Sequence, residues 1–120
     1  MSMEKIIIVE GRTDKEKLLN VLDEPIEVVC TNGTLSLERL EEMLALLEDK
    51  EVYLLVDADA SGAKLRKMFN REYPQVHHLY TQKMYREVAA TPPDYLAQIL
   101  AGAHFAVKDF SRSDKGSLEY

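Results

Sequence analysis

The chain has one cysteine, Cys30, among 120 residues. That excludes an intramolecular disulfide and a multi-cysteine zinc site, and it suits a reducing cytoplasm. No stretch approaches the roughly 18 uncharged apolar residues a membrane span needs. No small-residue cleavage site follows the short apolar run near the start, so a secretory leader is not expected. Internal repeats, low-complexity runs and Gly/Ser linkers are also lacking. Basic residues are outnumbered, 15 against 21 acidic, for a net charge of −6. Such a balance disfavours a protein that coats nucleic acid by bulk attraction. The deficit is uneven: residues 1–59 hold 6 basic and 15 acidic side chains (net −9), and residues 60–120 hold 9 and 6 (net +3). The second half can present a basic face to an anion if those residues share one side.

What is present reads as one α/β domain. Ile6-Ile7-Ile8-Val9 is an unbroken β-branched run, the pattern of a strand buried on both faces. Thr13 to Glu16 fits a capping box, with Thr13 as N-cap and Glu16 reaching back, and Leu18, Val21 and Leu22 follow at helical spacing. After Pro25, residues 26–30 form a second strand, with Cys30 a small buried apolar side chain at its end. Asn32-Gly33 is a turn signal. Ser36 caps a helix whose inner face is Leu37, Leu40, Leu44 and Leu47. Residues 52–56 form a third strand, followed by a helix packing through Leu65, Met68, Phe69 and Tyr73. Residues 76–80 form a weaker fourth strand, in which His77 and His78 face opposite ways and are structural. Pro92-Pro93 opens a last helix with Leu96, Ile99, Leu100 and Ala103 on one side. The stretch from Ser111 to Tyr120 reads as a loose polar tail.

Strands separated by helices run parallel with right-handed crossovers. The expected fold is a three-layer, Rossmann-like α/β sandwich: a four-stranded parallel sheet with helices on both faces. Ligands of open sheets bind beyond the carboxyl ends of the strands. Glu10 follows the first strand there, and Asp57 and Asp59 follow the third. Two unit charges about 4 Å apart repel by roughly 4 kcal/mol at an effective dielectric near 20. Three such pairs would cost on the order of 10 kcal/mol, comparable with a domain's whole stability. A shared proton or cation relieves this, and oxygen-only ligands favour Mg²⁺ or Mn²⁺. The structural alternative is that Asp59 or Ser61 simply caps the third helix. Asp14 has the same ambiguity in the first turn of the first helix.

Val9-Glu10-Gly11-Arg12-Thr13-Asp14, together with Val56-Asp57-Ala58-Asp59-Ala60-Ser61-Gly62, resembles the TOPRIM domain of DnaG-type primases, type IA and type II topoisomerases, OLD-family nucleases and RecR. Asp57 to Arg66, with Gly62, Lys64 and Arg66, is most similar to the ribosomal-RNA maturation ribonuclease, and the overall match looks like the small stand-alone TOPRIM proteins. The resemblance implies a TOPRIM domain over residues 1–103, with 104–120 as an extension or tail. It implies Glu10 as general acid/base, and a Mg²⁺ or Mn²⁺ ion held by Asp57 and Asp59 with Glu10 alongside. Asp94 matches the second acid of a primase motif, but Pro92 stands where the first acid should be, which disfavours a two-metal primase site.

Around the acids, Arg12 is the expected phosphate contact. Lys64, Lys67 and Arg71 form a stripe on the third helix that either follows a phosphate backbone or is a solvated face. Gly33 and Asn32 lie at the same sheet end, where they line the pocket or form an ordinary turn; Lys83 and Arg86 would border the cleft. The leading functional expectation is a Mg²⁺-dependent protein acting on nucleic-acid phosphodiester bonds, most simply a nuclease, on RNA or DNA. The alternative is a non-catalytic module that binds nucleic acid or a partner protein. A response-regulator receiver would reverse the placement of acid pair and single acid. A haloacid-dehalogenase phosphatase would carry its Asp pair after the first strand.

Overall fold

The structure, a computed structural model, describes residues 4–33, 35–81 and 84–109. Lys83 and the tail from Ser111 to Tyr120 lie outside the described residues. Four strands and four helices alternate: β1 (Lys5–Val9), α1 (Arg12–Val21), β2 (Glu27–Cys30), α2 (Leu37–Leu46), β3 (Glu51–Leu55), α3 (Ala60–Glu72), β4 (His77–Leu79) and α4 (Pro93–Gly102). The sheet is parallel in the order β2-β1-β3-β4. The first and third strands are therefore adjacent, with Ile8 level with Leu54, and the residues after them meet at one rim.

Strand alternation explains the two cores. Ile7, Val9, Val28, Tyr53 and Leu55 point to one face and pack against Leu18 and Val21 of α1 and Leu96, Ala97 and Leu100 of α4. Ile6, Ile8, Val52, Leu54 and Val56 point to the other, against Leu40 and Leu47 and against Leu65, Phe69 and Tyr73 of α3. An unbroken Ile-Ile-Ile-Val run is what a central strand covered on both sides requires. After α4 the chain turns back along the domain. Phe105 enters the first core edge-on to Tyr53, with ring centroids 4.8 Å apart, and Val107 bridges antiparallel to Leu22. Among the described residues no helix is long and apolar enough to cross a membrane.

Three local expectations change. The first helix begins earlier than the Thr13–Glu16 box implies: Gly11 is the N-cap, and the Asp14 carboxylate reaches back to accept from its N–H at 3.1 Å. Thr13 lies exposed in the first turn, and Glu16 instead sits 3.9 Å from Arg12. Leu37 does not join the α2 interior; it is 45% exposed at the first helical position, ahead of the turn that meets the sheet. Cys30 is only partly buried, because β2 is an edge strand. The Ser36 cap stands, its hydroxyl accepting from Arg39 N–H. His77 and His78 do face opposite ways: His77 stacks on Tyr53, and His78 lies between Arg66 and Asn70.

Candidate functional site

Glu10 leaves β1 at the centre of the rim. Its Oε1 accepts from Asp57 N–H at 3.0 Å and its Oε2 from the Ser61 hydroxyl at 3.3 Å. The carboxylate from the first segment is thus seated on the backbone of the second. Asp57 Oδ1 accepts from Val88 N–H at 2.8 Å. Asp59 is the N-cap of α3, Oδ1 accepting from Gly62 N–H at 2.8 Å. The capping alternative for Asp59 is therefore realised, and it holds one oxygen of the pair in place.

Gly62 is required by close approach rather than by its torsions. A Cβ there would lie 1.9 Å from the Asp57 carbonyl oxygen and 3.2 Å from Val56 Cγ2. Only glycine lets the start of α3 come this close to the end of β3.

The rim has a second support that periodicity does not reveal. Residues 86–91 form a loop without helical or strand pattern, fixed by bonds to the acidic segment. Ala58 N–H donates to Arg86 O, and Arg86 returns Nε and Nη2 to Ala58 O at 3.1 and 3.0 Å. Lys17 of α1 ties down the far side of the loop through Ala89 O and Thr91 O. Val88, buried in the core, presents the N–H that Asp57 uses. Arg86 does border the acids, as a clamp on their backbone.

Asp14 is the acid most altered by its surroundings. It is 8% exposed. Burial pushes its carboxyl above the usual range; the Gly11 hydrogen bond opposes this, and the negative charges of Asp57, Glu10 and Glu87 add to it. Its place in the first turn of α1 hid this role, since a carboxylate is favoured there anyway.

The basic candidates separate. Lys64 lines a recess of about 270 Å³ with Glu10, Gly33, Ala60, Ser61 and Met68. Gly33, with φ +95°, supplies the turn together with Asn32 at φ 57°. Arg12 does not line this recess. Its side chain is 88% exposed and borders a shallow groove with Lys15, Asn32 and the edge strand. Lys67 is exposed, and Arg71 pairs with Glu72 at 2.9 Å. The stripe therefore contributes one cation, Lys64, to the recess beside Glu10.

Among the described residues no three His, Cys, Asp or Glu side chains are placed to hold a metal ion. The hydrogen bonds above explain why: both Glu10 oxygens and one oxygen of each aspartate are turned to donors of the rim. The donor set does not make a closed three-carboxylate cage. It fits an open site for a hard cation that takes one or two carboxylates and completes its shell with water and phosphate.

A parallel α/β sandwich with a glutamate after its first strand and an aspartate pair after its third defines a class, and family-model comparison identifies it. The Toprim domain model matches residues 5–84, and the chain belongs to the Toprim family. It is 51% identical over 105 residues to "Uncharacterized protein YusF" of Bacillus subtilis (strain 168), covering 88% of this chain and 72% of that one. It is 30% identical to ribonuclease M5 of Mycoplasma genitalium over 81 residues, and 29% identical to ribonuclease M5 of Bacillus subtilis over 84. Those matches cover 67% and 69% of this chain but only 44% of each ribonuclease. The solved small TOPRIM domain protein from Bacillus stearothermophilus superposes with a TM-score of 0.86 at 55% identity, covering 90% of this chain and 92% of that one.

Proposed function

We propose that this chain is a divalent-metal-dependent Toprim protein acting on nucleic-acid phosphodiester bonds, most simply as a nuclease. The observation that supports this best is the Glu10 Oε1 to Asp57 N–H bond, which joins acids from two distant segments at one rim. The similarity to ribonuclease M5 supports the substrate class. Asp57 and Asp59 would hold Mg²⁺ or Mn²⁺ through the oxygens not used by Val88 and Gly62. A bound divalent cation polarises a phosphoryl oxygen and steadies a leaving oxygen. Glu10 would move the proton at Oε2, whose bond to Ser61 is the longer of its two. Lys64, across the recess, would meet a phosphate.

Single-stranded and structured RNA and DNA incubated with Mn²⁺ test the proposal. Cleavage should fall by about 10²- to 10⁴-fold in Glu10→Gln, the usual contribution of a positioned acid or base. Undiminished cleavage in that variant would discard Glu10 as the proton-transfer group. A second reading, a non-catalytic module binding nucleic acid or a protein partner, is favoured by the hydrogen bonds that already engage both Glu10 oxygens. Binding without cleavage of any substrate would select it.

A further inference from the structure

Along the Asp57–Ala60 loop lies another cavity, of about 420 Å³, lined by Asp57, Asp59, Ala63, Arg66, Tyr80 and Arg86. Tyr80 is 63% exposed, unusual for a large aromatic side chain beside a cleft. The Arg66 guanidinium carbon lies 4.1 Å from its ring centroid. Arg66 is itself immobilised: Nη2 donates to Leu79 O at 2.6 Å, and Nη1 is 3.0 Å from His78 Nδ1. Because Arg66 can only donate, His78 Nδ1 is the acceptor, and its protonated Nε2 donates to Asn70 Oδ1 at 2.8 Å. The ring thus rests on a fixed cation with much of its surface open to solvent. Arg86, pinned to Ala58 O, sets a second guanidinium on the same cavity wall.

We propose that Tyr80, backed by Arg66, is a stacking platform for an unpaired base of a single-stranded nucleic acid, with the adjoining phosphate toward Arg86 and the aspartate rim. The placement of the phosphate rests on the functional reading above; the stacking does not. An aromatic face held in advance over a cation, next to a second cation, matches a flat π-system attached to an anion. A base inside a duplex has no free face to offer, so the platform selects single strands.

Fluorescence anisotropy with labelled single-stranded and fully paired oligonucleotides, without added divalent ion, tests this apart from any chemistry. Wild type should bind the single strand more tightly than the duplex. Tyr80→Leu should weaken single-strand binding roughly 5- to 150-fold, and Tyr80→Phe, which keeps the ring, should retain it within about threefold. Equal affinity of Tyr80→Leu and wild type, a loss in Tyr80→Phe as large as in Tyr80→Leu, or duplex bound as tightly as single strand would each overturn the platform. Free AMP binding as tightly as the strand would overturn the strand as its occupant. Tyr80-dependent binding by a protein that cleaves nothing would uphold the platform and overturn the nuclease reading. Cleavage with single-strand affinity unchanged in Tyr80→Leu would do the reverse.

Discussion

Gly62→Ala adds a single methyl at the joint between β3 and α3, and the structure specifies its cost. The new carbon would stand 1.9 Å from the Asp57 carbonyl oxygen and 3.0 Å from the Asp57 carbonyl carbon. Reaching ordinary contact needs a displacement of roughly 1.5 Å. The obstructing atoms are backbone at a strand end, so rotamer change offers no relief. Overpacking of this kind costs about 1–3 kcal/mol, and a backbone obstruction belongs at or above the upper end. The displacement also acts on the site, because Gly62 N–H is the donor to Asp59 Oδ1 and Asp57 N–H the donor to Glu10. Urea unfolding should show a lower midpoint with unchanged slope, equivalent to about 3 kcal/mol. Gly102→Ala is the control: it has open space around the added carbon and lies in a helix, so it should be neutral or gain up to about 1 kcal/mol. Gly62→Ala within about 0.5 kcal/mol of wild type would refute the close-approach argument.

Three further outcomes follow from particular contacts. The folded-state value of Asp14 is raised above its ordinary 3.8, so its favourable contribution is complete below that value and is lost as pH rises through the folded one. Melting temperatures should therefore shift in favour of Asp14→Asn relative to wild type between about pH 4 and pH 7; a difference that is flat with pH would contradict this. Burial, and then the charge of Arg66, push His78 below its ordinary 6.5; stability it supports above that value should fade on acidification, and His78→Gln should flatten that part of the pH profile. Phe105→Ala removes a core ring that also carries the Lys5 ammonium 4.7 Å from its centroid. It should cost about 3–5 kcal/mol in urea unfolding; a loss under about 1 kcal/mol would show that the segment after α4 is not part of the core.

Much of this fold can be read from residue pattern. The runs Ile6 to Val9 and Val52 to Val56 announce strands buried on both faces, and strictly alternating elements dictate a parallel sheet. The meeting of Glu10 with the Asp57 segment follows once the first and third strands are neighbours. The boundary of α1 is less legible, since Asp14 and Glu16 are both plausible acids for a capping box and only the turn at Gly11 decides between them. Loop 86–91 is opaque for a different reason. Its work is done by backbone groups, the N–H of Val88 and the carbonyls of Arg86, Ala89 and Thr91, which side-chain patterning does not report. Tyr80 and Arg66 read as one strand-end aromatic and one helical cation until the fold stacks them.

Under the proposed function, Asp57 and Asp59, with Glu10 bonded to the Asp57 N–H, retain a divalent cation at the carboxyl end of the sheet. Melting the protein with and without Mn²⁺ tests this without reference to any substrate. Wild type should gain melting temperature with rising Mn²⁺, by about 2.7 kcal/mol of stability at a hundredfold excess over the dissociation constant. The Asp57→Asn, Asp59→Asn double variant should show no gain. An equal Mn²⁺ response in both proteins would contradict the claim.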